Sequence, residues 1–404
     1  MIQDYFAYVF ENLTKRKLRS WLTMIGIFIG IAAVVSLVSL GQGLQKYVDE
    51  QFSALGADKL FIQPKTGFGG PGSSSSTNLL RKEDVNEIKK VKGVSETTTS
   101  IIENVKVSFK GRTRFYQMIS IPTDKERGLF DEILNLKIKG GRGLIGGDKF
   151  KAVLGIGFIE DNIFSPNLKA GDSIKINDMD FKVAGYYERR GNSGDDHLIY
   201  ITEDAMREIF SIKDRVDIIY ARASKGEKPK DLAAQVEKDL RKFRGLKEGE
   251  EDFSVQTSED LVKTIGNIIV IIQAVLIGIA LISLLVGGIG ITNTMYTAVL
   301  ERTKEIGVMK AIGAKNSDIR MIFLIESGIL GLSGGLIGVA LGMGFSKLVE
   351  IAISYTGNTF LKAVFPWYLI LSALLFAVLV GTISGILPAI RASKLKPVDA
   401  LRYE

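Results

Sequence analysis

Apolar residues in this chain gather into four runs, 21–40, 268–291, 322–349 and 367–387, separated by polar stretches of very different length. A bilayer-spanning helix needs about 20 mostly apolar residues, and each run supplies that. Each central Leu, Ile, Val or Phe contributes roughly −0.3 to −0.6 kcal/mol to insertion, enough to carry an occasional polar residue such as Gln273. The pattern predicts four membrane-spanning helices rather than the buried helices of a soluble core.

The break between the second and third runs is short and charged. Glu301, Arg302, Lys304, Glu305, Lys310 and Lys315 exclude it from hydrocarbon. Residues 301–311 nevertheless contain no proline and a single glycine, Gly307. Ile306, Met309 and Ile312 recur near helical spacing. A short helix at the membrane surface, resting against another part of the protein, is expected here. Asn316, Ser317 and Asp318 then offer side-chain oxygens to start the following helix.

The polar interval 46–263 has ordinary globular composition and room for one sizeable domain or two small ones. Apolar positions Leu44, Val48, Phe52 and Leu55 continue a helical stripe beyond the first run and predict a stalk, which Gly56 ends. Strands are expected at 59–63, 94–109, 113–121, 217–223 and 252–256. Helices are expected at 81–91 and at 229–243, where Leu232, Val236 and Leu240 recur at spacing four. Residues 140–212 change texture to short strands and glycines. The reading is an α/β unit (42–137 and 214–262) with a β-rich subdomain (138–213) inserted into it. At the other end of the first run, Ile2, Tyr5, Phe6, Val9 and Leu13 share one stripe of residues 1–20, as in an interfacial amphipathic helix.

Charge placement orients the chain. Lys15, Arg16, Lys17 and Arg19 precede the first run, and Arg302, Lys304, Lys310, Lys315 and Arg320 surround the charged hinge. Arg391, Lys394, Lys396 and Arg402 follow the fourth run, whereas the 3–4 connection holds only Lys347 and Lys362. Positive residues favour the cytoplasmic side. The expected fold is therefore a membrane α-helical protein with four transmembrane helices and cytoplasmic N and C termini. A large extracytoplasmic α/β domain carries the inserted β-rich subdomain. The expected segments are 1–20, span 21–41, outer domain 42–262, span and stalk 263–300, hinge helix 301–318, span 319–349, outer loop 350–366, span 367–390 and tail 391–404. The net charge of +7 is accounted for by these clusters beside membrane lipid and needs no nucleic acid.

Small residues recur at interval four inside the spans: Gly26 and Gly30, then Gly334, Gly338 and Gly342, then Gly381 and Gly385. Such spacing lets helix backbones approach closely, in a bundle or a dimer seam. Gln273 and Glu326 are the polar residues to examine for transport chemistry, since ionisable groups inside a membrane are functional by default.

Other chemistry is thin. G-x-G-x-x-G occurs at Gly67, Gly69 and Gly72, but Pro71 and four serines follow where a helix should open, so a flexible loop is expected. G-x-S-x-G occurs at 331–335, inside a span and away from the sole histidine, His197, so no hydrolase is expected. Asp195, Asp196 and His197 lack further ligands for a metal site and read as a solvated loop. No cysteine, H-E-x-x-H or phosphate-binding P-loop is present, so no cofactor is expected on this chain, and any ATP and magnesium belong to a partner.

Three stretches, LRSWLTMIGIFIGIAAVV (18–35), GGIGITNTMYTAVLERTKEIGVMKAIGAKNSDI (287–319) and LPAIRASKLKPVDALR (387–402), resemble the MacB/FtsX-type ABC transporter permease superfamily, nearest its MacB-like branch. The resemblance implies a homodimer of four-span subunits bound to two copies of a cytoplasmic ABC ATPase, with an extracytoplasmic adaptor or membrane-fusion protein as a further partner. It makes 301–314 the coupling helix, through Glu301, Arg302, Glu305, Ile306, Gly307, Met309, Lys310, Ala311, Gly313 and Ala314. Unlike MacB itself, this chain is expected to carry no fused N-terminal ATPase domain. The implied function is mechanotransmission for export of peptides, lipids, lipoproteins or amphipathic drugs. The alternative is an FtsX-like signalling module that activates an outer partner without transport.

Overall fold

The computed structural model describes residues 17–65, 79–164, 167–355, 358 and 361–401. The expected amphipathic helix up to residue 16, the 67–77 glycine–serine segment and Arg402 lie outside them. The chain divides into a helical unit (1–45, 268–352 and 361–404) and an α/β unit (46–267 and 353–360).

Among the described residues four helices are long and apolar enough to cross a membrane: Lys17–Leu55, Ser258–Glu301, Asn316–Ser354 and Trp367–Ser393. At 1.5 Å per residue the 39-residue first helix is ~58 Å long and the 44-residue second ~66 Å. Both exceed the ~30 Å of bilayer hydrocarbon, so each continues well past its apolar run.

Glycine decides how the four pack. A Cβ on Gly26 would lie 2.5 Å from Gly287 Cα, and one on Gly30 would lie 2.6 Å from Leu284, so the first and second helices meet backbone to backbone. On the third helix, Gly334, Gly338 and Gly342 receive Ile27, Ile31 and Val35 of the first. Gly381 and Gly385 of the fourth lie on Gly331 and Ser327 of the third. Thr292 Oγ1 donates to Ser384 O (2.8 Å), tying the second helix to the fourth. The predicted small-residue positions are thus seams between helices of one chain, where dispersion contacts replace the missing hydrophobic drive.

In the α/β unit the strands are β1 (Lys59–Pro64), β2 (Leu80–Arg81), β3 (Val94–Ser100), β4 (Ile102–Phe109), β5 (Arg112–Ile121), β6 (Ile138–Gly141), β7 (Lys151–Leu154), β8 (Ser173–Ile176), β9 (Met179–Tyr187), β10 (Ile199–Thr202), β11 (Arg215–Val216), β12 (Ile218–Ala223) and β13 (Phe253–Thr257). An antiparallel sheet of order β13-β1-β12-β3 joins strands from both sides of the middle region. Helix Pro229–Phe243 starts with its proline in the first turn, where the missing N–H costs nothing. It buries Leu232, Val236 and Leu240 on this sheet, together with Val85 and Ile88 of helix Lys82–Lys90. Each such side chain contributes about 1.5–3 kcal/mol.

The second sheet has seven strands in the order β6-β9-β7-β10-β5-β4-β8, and it reaches back across the expected boundary at residue 138. The strand expected over 94–109 breaks at Ile101: β3 stays in the small sheet, whereas β4 pairs with β5 and β8 in the larger one. Ile101 is fully buried, its N–H donating to Ser120 Oγ (2.8 Å) and its carbonyl accepting from Ser120 N–H (2.9 Å). One buried serine satisfies the backbone at the crossing, which a run of alternating residues does not reveal.

Candidate functional site

The charged hinge is an elbow in which three long helices and two short ones are fastened together. The second long helix ends at Glu301, and helix Thr303–Ala311 begins directly after Arg302. Arg302 N–H still bonds to Ala298 O (3.1 Å) and Arg302 O accepts from Ile306 N–H (3.0 Å), so the backbone bends there without opening. Thr303 Oγ1 donates to Val299 O and Leu300 O (3.1 and 2.8 Å), satisfying carbonyls that the bend exposes.

The exit is a Schellman turn. Ala314 N–H bonds to Met309 O (3.0 Å) and Gly313 N–H to Lys310 O (3.1 Å). Gly313 holds φ at +106°, a backbone state that side chains disfavour, although a Cβ there would meet only open space. Its requirement is conformational. Asp318 then accepts from Lys315 N–H (2.9 Å) and starts the third long helix.

The short helix sorts the predicted coupling residues into two faces. Thr303, Ile306 and Gly307 are buried, with Met309 and Lys310 partly so. Glu301, Lys304, Glu305, Val308, Ala311, Ile312 and Gly313 are exposed, Val308 by 50% and Ile312 by 82%. Ile312, expected to share a face with Ile306 and Met309, points away. Six residues make one turn and two-thirds, so a 3 + 3 spacing drifts off the stripe that 3 + 4 would keep.

Two of the predicted coupling residues act inside the protein. The Arg302 side chain is 6% exposed and that of Glu326, on the third long helix, 9%. Arg302 Nη1 donates to Glu326 Oε2 (3.0 Å) and Nε to Glu305 Oε2 (3.1 Å), and its guanidinium lies 5.4 Å from the Phe323 ring centre. Glu326, considered for transport chemistry, is the counter-ion of the elbow. Lys310 turns inward as well, donating to Ser393 O (2.8 Å) and Leu395 O (2.6 Å) where the fourth long helix ends. A cation there also complements the negative end of the helix dipole. Helix Pro397–Leu401 packs against Thr303–Ala311 and buries Ala400. The sequence reading missed Val308 and this terminal helix. The PVDAL segment carried a family likeness, but no periodicity marked it as part of the elbow.

The remaining candidates resolve as packing. Gln273 lies against the backbone of Gly41 on the first helix. Gly331 and Gly335, of the G-x-S-x-G stretch, face Ala377 on the fourth. His197 is not on a solvated loop: its side chain is 13% exposed, between Tyr116 (stacked, 5.9 Å) and Phe158 (5.7 Å). Ser193 Oγ (3.1 Å) and Asp161 Oδ2 (3.4 Å) flank the ring in an order like that of a catalytic triad. However, Nδ1 lies 2.5 Å from Ser193 O, which can only accept, so the ring nitrogen beside the hydroxyl carries a proton and has no lone pair to take the serine's. Among the described residues no group of three or more His, Asp or Glu side chains is arranged to hold a metal ion.

Known proteins are similar to this chain in sequence. Residues 20–239 match the family described as MacB-like periplasmic core domain, and residues 277–397 match FtsX-like permease C-terminal. An uncharacterized ABC transporter permease of Methanocaldococcus jannaschii is 37% identical over 403 residues, covering all of this chain and 98% of that one. The macrolide export ATP-binding/permease protein MacB of Bdellovibrio bacteriovorus is 32% identical over 409 residues, and the match spans 98% of this chain but 61% of that longer protein. The periplasmic region of MacB from Actinobacillus actinomycetemcomitans aligns with 55% of this chain and 98% of that structure, at 18% identity and a TM-score of 0.43. With its MacB-like core domain, its FtsX-like C-terminal region and full-length relatives of the same kind, the chain belongs to the MacB/FtsX family of ABC transporter permeases.

Proposed function

We propose that this chain is the membrane subunit of an ABC exporter whose ATP is bound by a separate cytoplasmic ATPase, and that the short helix Thr303–Ala311 receives that subunit's motion. The observation that carries this reading is the division of the elbow into two faces. Val308 and Ile312 stand exposed among Lys304, Glu305 and Lys315, while Arg302 and Lys310 fasten the same helix to the third and fourth long helices. A push on the exposed face reaches three spanning helices through short, directional bonds, without a substrate channel.

Under the positive-inside rule the elbow and both termini are cytoplasmic and the α/β unit lies outside. The first two helices, each longer than a membrane, then carry the movement outward, and the outer units of two copies rearrange. The second helix exposes Ile271, Ile272, Val275, Ile279 and Ile282, an apolar surface for lipid or a second copy. An apolar groove of about 620 Å³ between the first and third helices, lined by Leu37, Leu40, Leu341, Phe345 and Leu348 among others, adds a further surface of the same kind, for lipid, a second copy or an amphipathic cargo.

Reconstitution in nanodiscs with the ATPase from the same genome tests the proposal. Ile312→Glu and Val308→Glu are expected to reduce permease-stimulated ATP hydrolysis about tenfold each, the effect of losing one buried apolar anchor, with the thermal unfolding of the chain unchanged. Full stimulation in both variants would remove this helix from the coupling path.

A further inference from the structure

We infer that the cavity between helix Lys82–Lys90 and the carboxyl ends of β5 and β10 is a binding site for a small zwitterion, an amino acid or a dipeptide. Every lining residue belongs to the α/β unit, so failure of this assignment would leave the proposed dock on Thr303–Ala311 untouched.

The cavity measures about 340 Å³, within the roughly 300–1,000 Å³ of small-molecule sites. That is space for about eleven waters at ~30 Å³ each, and so for a molecule of a similar number of non-hydrogen atoms. Its position is the one where α/β sheets hold ligands, the crevice outside the carboxyl ends of neighbouring strands. β5 and β10 run parallel and adjacent, Met118 beside Ile199 and Ile121 beside Thr202. Beyond them the chain diverges into residues 122–126 and into helix Glu203–Ile209, and both segments line the cavity.

Some of the lining charges are already committed to the walls. Lys89 Nζ donates to Glu126 Oε1 (2.7 Å), bridging the helix to residues 122–126. Glu203 accepts from Arg207 Nε (2.8 Å) and from Thr99 Oγ1 (3.2 Å). Val85, Thr99, Pro122 and Val216 are buried and form the floor. Among the described residues, the side chains of Lys82, Asn86, Thr123 and Asp204 make no hydrogen bond or ion pair. Asp124 uses one carboxylate oxygen on Glu126 N–H (3.0 Å).

The groups left open thus carry both signs. An inorganic anion would suit Lys82 but meet Asp204 and Asp124. A metal ion would lack ligands, since no group of three or more carboxylates or imidazoles among the described residues could hold one. A zwitterion complements the whole set: its carboxylate faces Lys82, its ammonium Asp204, and its polar middle Asn86 and Thr123. A short apolar side group then covers the floor.

Calorimetric titration of the full chain in nanodiscs tests this with leucine, glycyl-leucine, isocaproate (leucine without its ammonium) and isopentylamine (leucine without its carboxylate). Saturable binding of leucine or glycyl-leucine is expected, and the tighter of the two identifies the source as free amino acid or peptide. Isocaproate and isopentylamine should each bind at least about tenfold more weakly, the loss of one charged contact. Lys82→Met should weaken zwitterion binding about tenfold and leave isopentylamine unaffected, whereas Asp204→Asn should do the same and leave isocaproate unaffected. Both residues are exposed, so the unfolding temperature should not move. Absence of saturable heat from both zwitterions up to about 10 mM, equal affinity for a singly charged analogue, or unchanged affinity in both variants would overturn the assignment.

Discussion

At the scale of single residues, the most consequential pair is Arg302 and Glu326. Both are buried and bonded at 3.0 Å, and each justifies the other: a lone buried charge is costly, whereas a bonded pair roughly matches a well-packed apolar pair. Glu326→Leu or Arg302→Met alone is therefore expected to cost about 3–5 kcal/mol, read as a large drop in thermal unfolding temperature in detergent. The double variant should recover most of that loss. If it does, its ATPase coupling then reports whether charge or mere packing stiffens the elbow. Asp148 makes a second residue-level case. It accepts from Arg142 (2.6 and 3.0 Å), Lys151 (2.7 Å) and Ile145 N–H (3.1 Å), and the Arg142 guanidinium first of all holds its carboxyl well below the usual carboxylate range. The folded chain thus binds this proton less readily than the unfolded one. The stabilisation is complete above about pH 4, the unfolded value, and is lost as pH falls towards the depressed folded value. Asp148→Asn should lower stability by about 1.5–3 kcal/mol at pH 7, and the gap from wild type should narrow in melts taken towards pH 3.

Elements show what sequence patterning conveys and what it leaves out. The long helices were legible because length and apolar content suffice to mark them. The interval-four glycines were legible as seams, but not which helices they join, since the spacing names no partner. Gly338 and Gly344 make the distinction testable. A Cβ on Gly338 would lie 2.8 Å from Phe28 O and from Ile31 Cβ, whereas one on Gly344 meets nothing within 4 Å. Gly338→Leu should destabilise the helical unit by at least about 1–3 kcal/mol through overpacking, while Gly344→Leu should stay within about 0.5 kcal/mol of wild type. Size-exclusion profiles and thermal melts of the two variants check this. In the α/β unit, helix Pro229–Phe243 was legible to the residue from its proline and its spacing of four. The sheet switch at Ile101 was not, because Ser120, its hydrogen-bond partner, lies nineteen residues away. The elbow falls between these cases. Its helix was foreseeable, but the inward turn of Arg302 and Lys310 depends on Glu326 and on the carbonyls of Ser393 and Leu395, distant positions that no local periodicity encodes.

For the whole molecule, the decisive question is which parts share a side of the membrane. Force transfer from a cytoplasmic ATPase requires the elbow and the 394–401 tail on one side and the seven-stranded sheet on the other. The chain contains no cysteine, so single cysteines report position without background. Lys304→Cys and Lys396→Cys place exposed thiols on the elbow and beside the terminal helix, and Lys175→Cys places one on β8. With a membrane-impermeant maleimide applied to intact cells, Lys175→Cys should react, while Lys304→Cys and Lys396→Cys should react only after the membrane is opened. Only the third and fourth long helices lie between positions 304 and 396, so if both cross, the two positions share a side and must behave alike. Opposite labelling of positions 304 and 396 would mean that one predicted span does not cross. If all three patterns were inverted, the exposed Val308–Ile312 face would lie where no ATP is consumed, and mechanical coupling through it would be excluded.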